Sequence, residues 1–373
     1  SSLSLELGEK IKAIDSSDAS EWRKDNLKVQ AAQTYLQSLA DDEQAELLQK
    51  IYEKEQEIRE KQARAVETTV AHKFGLGEAI SYQGKGQVPG HVLNQFSMDE
   101  YNGYLRVATT SQRPMWSSMS GLKNNVYVLD SSLQIVGRIE DLAPGESIYS
   151  ARFMGNRAYL VTFKKIDPLF VIDLSDARNP LLLGKLKIPG YSDYLHPYDE
   201  THLIGLGKDA IPSEEGDFAW YQGVKLSLFD VSDVANPREL ATYSIGDRGT
   251  DSYALQDHKA FLFDRERNLL VIPVLLAEVD ESKYANRVEP SAYGEYKFQG
   301  AYVFKADLTG FTLRGQVSHA DPERFAKAGE YYFGTGTDVI RSAYLDDVLY
   351  TISESTVKAN DLNTLAQVGE VKL

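Results

Sequence analysis

Apolar residues near the start of the chain recur at helical spacing. Leu7, Ile11 and Ile14 fall on one face, as an amphipathic helix requires. Asp18 with Glu21 three positions on has the form of a capping box, opening a second helix that runs to about Ala40. Ala45, Leu48, Ile51, Tyr52 and Ile58 keep the spacing in a third segment rich in Glu, Lys and Gln. The charge run from Glu53 to Arg64 reads as a solvated helical face, with a partner-binding helix as the alternative. Residues 1–66 are therefore expected to form an α-helical segment, either an insertion or a helical hairpin.

From about Glu67 the pattern changes to alternation punctuated by Gly and Pro, and a second domain is expected over 67–373. It contains a repeat: Phe170-Val171-Ile172-Asp173-Leu174-Ser175-Asp176 with Asn179-Pro180 matches Leu228-Phe229-Asp230-Val231-Ser232-Asp233 with Asn236-Pro237. Degenerate copies occur at Val126 to Asp130, Ala301 to Phe304 and Thr356 to Asp361. Around the first full copy, Tyr149 to Met154, Arg157 to Phe163, Leu169 to Leu174 and Leu181 to Ile188 make four short strands, the make-up of one propeller blade. By this count blades begin near Leu93, Ile148, Ser192, Tyr253 and Val339, with long insertions near 209–222 and 276–297. Thr68 to Phe74 and Ala79 to Gln83 supply only two outer strands of another blade. The expected fold is mainly β: a β-propeller of about five four-stranded blades plus a partial blade, preceded by the α-helical segment.

Composition supports an ordinary globular body, with 42% apolar residues and 22 tyrosines among 373 positions; tyrosine suits half-buried pleated surface. A net charge of -15 excludes a nucleic-acid partner, which needs a cationic stripe, and argues against anionic membrane surfaces. No cysteine is present, so disulfides, thiolate metal sites and cysteine nucleophiles are excluded. No run of 18 apolar residues occurs and Ser1-Ser2-Leu3-Ser4 has no signal core, so no membrane insertion by this chain is expected.

No HExxH, Gly-x-Ser-x-Gly or phosphate-binding glycine loop is found, and Gly84-Lys85-Gly86 is a turn signal. The repeat aspartates Asp173, Asp176, Asp230 and Asp233 carry two readings: Asx turns, or calcium ligation, which needs six or more converging oxygens where the sequence offers pairs. The densest polar cluster runs from Ser192 to His202. His196 and His202, six apart, would lie roughly 20 Å from each other on an extended strand, too far for one metal unless the chain turns at Pro197. The innermost strands of a propeller line its channel, which singles out Asp99, Arg152, Asp193, Tyr194, His196, His258 and Arg341. Asp247 and Arg248 join two blades as a further candidate pair. Arg and Asp pairing between blades, a channel site for a polar or anionic ligand, and an acid-base pair such as Asp193 with His196 are the three readings of this set.

Several stretches carry a signature beyond spacing: Leu93-Asn94-Gln95-Phe96-Ser97-Met98-Asp99-Glu100, Arg106 to Thr110, Ala151 to Gly155, Asp167 to Ser175, Gly190 to Glu200 and Asp257 to Phe263. With them, residues 68–373 resemble an archaeal and bacterial family of secreted proteins with a C-terminal β-propeller distantly related to WD40 repeats. The resemblance implies that fold and a secreted or cell-surface setting, and no particular activity. Members extend further at the N-terminus, with a signal or lipoprotein segment and additional blades before a helical insertion like residues 1–66. It therefore implies a C-terminal portion, for which N-terminal blades of the same protein are a partner.

The function expected is a non-enzymatic extracellular or cell-surface scaffold for a protein or glycan partner, with no cofactor, calcium at the repeat aspartates being the alternative. The enzyme alternative is a channel-mouth hydrolase or lyase using Asp193, His196, Arg152 or Arg341, with or without a divalent cation.

Overall fold

A computed structural model describes residues 5–17, 21–111, 121–163, 167–188, 190–213, 218–284, 288–321, 323–325, 331–332, 334 and 336–373. The chain divides into two compact units, Ser1–Val66 and Glu67–Leu373.

The first unit holds helices Leu5–Asp15, Glu21–Gln37 and Asp41–Val66. Leu7 is buried, and Ile11 and Ile14 are half-buried on the same face. The capping box expected at Asp18 lies outside the described residues. In the third helix the apolar stripe finds no cover: Ala45, Leu48, Ile51 and Tyr52 are all exposed, while the side chain of Ile58 is outside the description. Its polar face carries the pairs Glu46 with Lys50 and Lys54 with Glu57, exposed contacts that add a few tenths of a kcal/mol each at most.

The second unit starts with a hairpin of strands Thr68–Leu76 and Ile80–Pro89. Five four-stranded antiparallel sheets follow, I to V, over 98–142, 147–188, 191–245, 262–317 and 341–372. In each, successive strands are neighbours, the meander that short turns permit. The expected propeller blades are thus present in number and place, and in sheet II the strands Arg157–Phe163 and Leu181–Ile188 have the bounds read from the sequence.

The middle strands are covered on both faces, which is why they read as unbroken apolar runs. Leu169 to Ile172, Leu269 to Ile272 and Ala301 to Phe304 are all buried. Outer strands cover one face only, and Arg238–Ile245 and Gly310–Val317 alternate accordingly. Between successive sheets lies one apolar layer after another. Sheets I and II share Val126, Val128, Leu160 and Ile172; II and III share Val161, Val171, Leu203 and Phe229. III and IV share Leu206, Leu226, Ile272 and Phe304; IV and V share Val271, Val303, Val339 and Leu349. The hairpin packs Val88 onto Val107, Tyr127 and Leu129 of sheet I. Each fully buried side chain of this kind contributes about 1.5–3 kcal/mol.

The repeat has a structural job at these junctions. Asp173 accepts the Ser175 backbone N–H (2.9 Å) and hydroxyl (2.9 Å), and Asp176 accepts Arg178 N–H (3.0 Å). Asp230 and Asp233 do the same with Ser232 and Ala235. These are Asx turns, and hydrogen bonds from Ser232 with the Arg238 pair hold the Asp230 carboxyl down at about 2. The turn so fixed is pressed against a glycine of the preceding sheet: a Cβ on Gly137 would collide with the Ala177 carbonyl, and one on Gly184 with that of Val234. Among the described residues no helix is long and apolar enough to cross a membrane.

Candidate functional site

The first strand of sheet II neighbours those of sheets I and III, and the first strands of II and III are both irregular, that of II shifting register between Ile148 and Ser150. Strand Tyr191–Pro197 pairs with His202–Pro212 in a register that shifts between Ser192 and Tyr194. Asp193 is therefore a bulge residue, and bulges re-aim side chains next to sites. It lines an open cavity of about 290 Å³ together with Asn94, Gln95, Phe96, Tyr194 and His258.

Phe96 is the hub. It sits in the 3-10 turn Gln95–Ser97 that leads into sheet I, capped by Asn94 Oδ1 accepting Phe96 N–H (2.9 Å). The guanidinium of Arg152, from sheet II, stands over its ring at 4.7 Å. Tyr194 of sheet III and His258, in the 3-10 turn His258–Ala260 just ahead of sheet IV, meet it at 5.4 and 4.8 Å between centroids. The Gln95 amide donates to His258 Nε2 (3.2 Å), and Tyr194 Oη is hydrogen-bonded to His196 Nδ1 (3.0 Å). Phe261 closes the cluster against Tyr194 and His196 at 5.3 and 5.1 Å.

Electrostatics follow from crowding. Burial, with Arg152 nearby, lowers His196 to about 4, so the ring is neutral at pH 7. Burial also lowers Arg152 and raises Tyr194, each effect being opposed by the other residue. Burial raises the Asp193 carboxyl to about 7; Lys208 opposes the shift and Asp251 adds to it. Lys208 itself is held by the Asp251 carboxylate (3.3 Å) and donates to the Thr250 carbonyl (3.1 Å).

Five residues singled out from the sequence, Arg152, Asp193, Tyr194, His196 and His258, thus meet in one place. Arg341 stands at its edge: its guanidinium donates to Asp257 (2.8 Å), beside His258. Asp99 lies elsewhere, in a two-pronged pair with buried Arg106 (2.5 and 2.7 Å) whose guanidinium also donates to Gly155 and ties sheet I to II. Asp247 accepts the Val279 N–H (2.7 Å), and Arg248 packs at 5.0 Å from Trp220 and 4.4 Å from Tyr293, binding the two insertions together. The repeat aspartates occupy turns in sheets II and III, and no group of three or more His, Asp or Glu suited to a metal is found among the described residues. His202 pairs with Asp199 (2.9 Å) rather than with His196. Gln95, Phe96 and Gln256 belong to the site without having been singled out as site residues; Gln95 and Phe96 stand in the stretch Leu93 to Glu100 that carries the family resemblance.

A family model described as a beta propeller domain matches residues 11–365. The chain belongs to the beta-propeller domain family. Two uncharacterised archaeal proteins are similar to this propeller: one of Archaeoglobus fulgidus, 35% identical over 90% of this chain and 44% of its own length, and one of Methanocaldococcus jannaschii, 34% identical over 98% and 50%. The propeller chain spans about half the length of these relatives. Among solved structures, BamB from Moraxella catarrhalis aligns over 81% of this chain and 77% of its own, at 10% identity and a TM-score of 0.44. The C-terminal WD40 domain of Sif2 aligns over 82% and 66%, at 9% identity and 0.37.

Proposed function

We propose that this propeller is a non-enzymatic binding scaffold at the cell exterior, whose protein or glycan ligand seats in the cavity beside the first strand of sheet III. One observation carries the reading. Residues of sheet III and of the segments that lead into sheets I and IV converge on a single open cavity that mixes aromatic faces with amide and carboxyl groups, the make-up of small-ligand sites. Neutral His196 beside aromatic rings favours holding a ligand over moving protons. The exterior setting follows from the resemblance to secreted proteins, and protease digestion of intact cells tests it: protection of the chain from added protease overturns it.

Binding is tested by thermal shift against a panel of glycans and peptides, because a ligand of the folded state raises Tm. The expected result is a shift with wild type that Gln95→Ala and His258→Ala reduce. No shift with any panel member overturns the reading. A second reading has one observation behind it: a carboxyl at about 7 is poised for acid-base work in a hydrolase or lyase. It requires turnover of a glycoside, ester or polyuronate that Asp193→Asn abolishes in a folded protein, and turnover unchanged by that substitution sinks it.

A further inference from the structure

On the other side of the 3-10 turn Tyr253–Leu255 lies a second open cavity, of about 240 Å³, walled by Leu275 and Gln299 of sheet IV and by Tyr332, Gly334 and Asp338 of the connection to sheet V. Tyr253, Tyr332, Asp251 and Asp338 line it, and Gln256 lines both cavities. Tyr253 faces the second cavity while Ala254 and Leu255 face the first, so one short turn forms the ridge between them. Together the two volumes fall within the range of about 300–1,000 Å³ usual for ligand sites.

Apart from Asp193 in the first cavity, whose carboxyl burial raises to about 7, the carboxylates along this line are matched inside the protein. Asp251 is held by Lys208 (3.3 Å), Asp257 by Arg341 (2.8 Å), and Asp338 accepts from the Tyr332 hydroxyl (2.5 Å) with Arg324 at 3.8 Å. Gln299 spends both ends of its amide on the Val339 backbone (2.8 Å each), fixing the wall between sheets IV and V. A charged ligand would compete with these pairs, at a cost that is greatest at the buried Asp338 and small at the exposed Asp257. Aromatic rings stand at both ends, Phe96 and Tyr194 in one cavity, Tyr253 and Tyr332 in the other. Apolar faces alternating with hydrogen-bonding edges match the two sides of a sugar ring.

We propose that the two cavities are neighbouring subsites of one cleft that binds a linear, uncharged oligosaccharide across the ridge 253–256. This rests on the binding reading above and adds the ligand class and the second subsite. The test is isothermal titration calorimetry of the full chain with N-acetylglucosamine oligomers and β-linked glucose oligomers of one to six units, with galacturonic acid oligomers as the charged comparison. Affinity is expected to rise about tenfold or more between the single sugar and the longer chains of at least one uncharged series. Tyr253→Ala, at a side chain 48% exposed and so tolerant of truncation, is expected to return long chains to single-sugar affinity. Gln95→Ala is expected to weaken all lengths. Affinity independent of length, no effect of Tyr253→Ala, or equal binding of the charged series overturns the cleft while leaving the binding reading in place. No binding of any uncharged oligomer also overturns it, and the thermal-shift panel then decides the binding reading separately.

Discussion

Asp193 makes the sharpest statement available from a single side chain. Its carboxyl titrates near 7 in the fold against 3.8 for the ordinary group. Below pH 4 both states hold the proton; between 4 and 7 only the folded state does, so stability falls as pH rises through that window, by about 1.4 kcal/mol per pH unit for one proton. His196 works the other way. Lowered to about 4 from 6.5, it leaves the unfolded chain holding the extra proton, so its contribution rises with pH across 4 to 6.5 and is complete above. His319, also lowered to about 4 by burial with Lys358 nearby, adds to that rise. Asp193→Asn removes the falling component alone. Urea titrations should find the variant more stable than wild type at pH 8, with the gap closing toward pH 4. A gap of the same size at every pH would mean that Asp193 is not held protonated by its surroundings.

At the scale of elements, the junction between a repeat turn and its neighbour's glycine is the most demanding contact. Gly184→Ala puts a methyl group into the Val234 carbonyl, and overpacking of this kind costs about 1–3 kcal/mol. Calorimetry should show a lowered Tm for Gly184→Ala and for Gly137→Ala, and unchanged melting of both would sink the docking role. These junctions also explain what the sequence could show. An apolar run bounded by Asp-x-Ser-Asp and Asn-Pro is local information, because burial on both faces and an Asx turn are both set within a few residues. That made the sheets, their order and the strands of sheet II legible. The site was legible only in part. Alternation says which face a strand residue takes, but not that Asp193 is bulged, nor that Asp99 turns to Arg106 in its own sheet. Phe96 and Gln95 owe their place to partners as distant as His258, a contact between sheets that no local pattern encodes.

Across the whole second unit, each sheet meets the next through a buried apolar layer, and the first and last members of the series have a face left over. On the hairpin, Val70, Phe74, Leu76, Ile80 and Tyr82 are exposed, Phe74 opposite Tyr82 and Leu76 opposite Ile80. On sheet V, Leu345 and Val371 are exposed beside half-buried Tyr350 and Val357. No buried apolar cluster among the described residues joins sheet V to the hairpin or to sheet I. A contiguous apolar sheet face of this sort is an association surface. The isolated chain is therefore expected to self-associate, with a weight-average mass in sedimentation equilibrium that climbs with concentration. Phe74→Glu with Ile80→Lys, which charges the hairpin face and leaves Val88 on the other side untouched, should shift the equilibrium toward monomer without lowering Tm. A monomer at all concentrations would mean that these faces are too small or too twisted to pair, and the two ends of the series would then have to be regarded as finished surfaces.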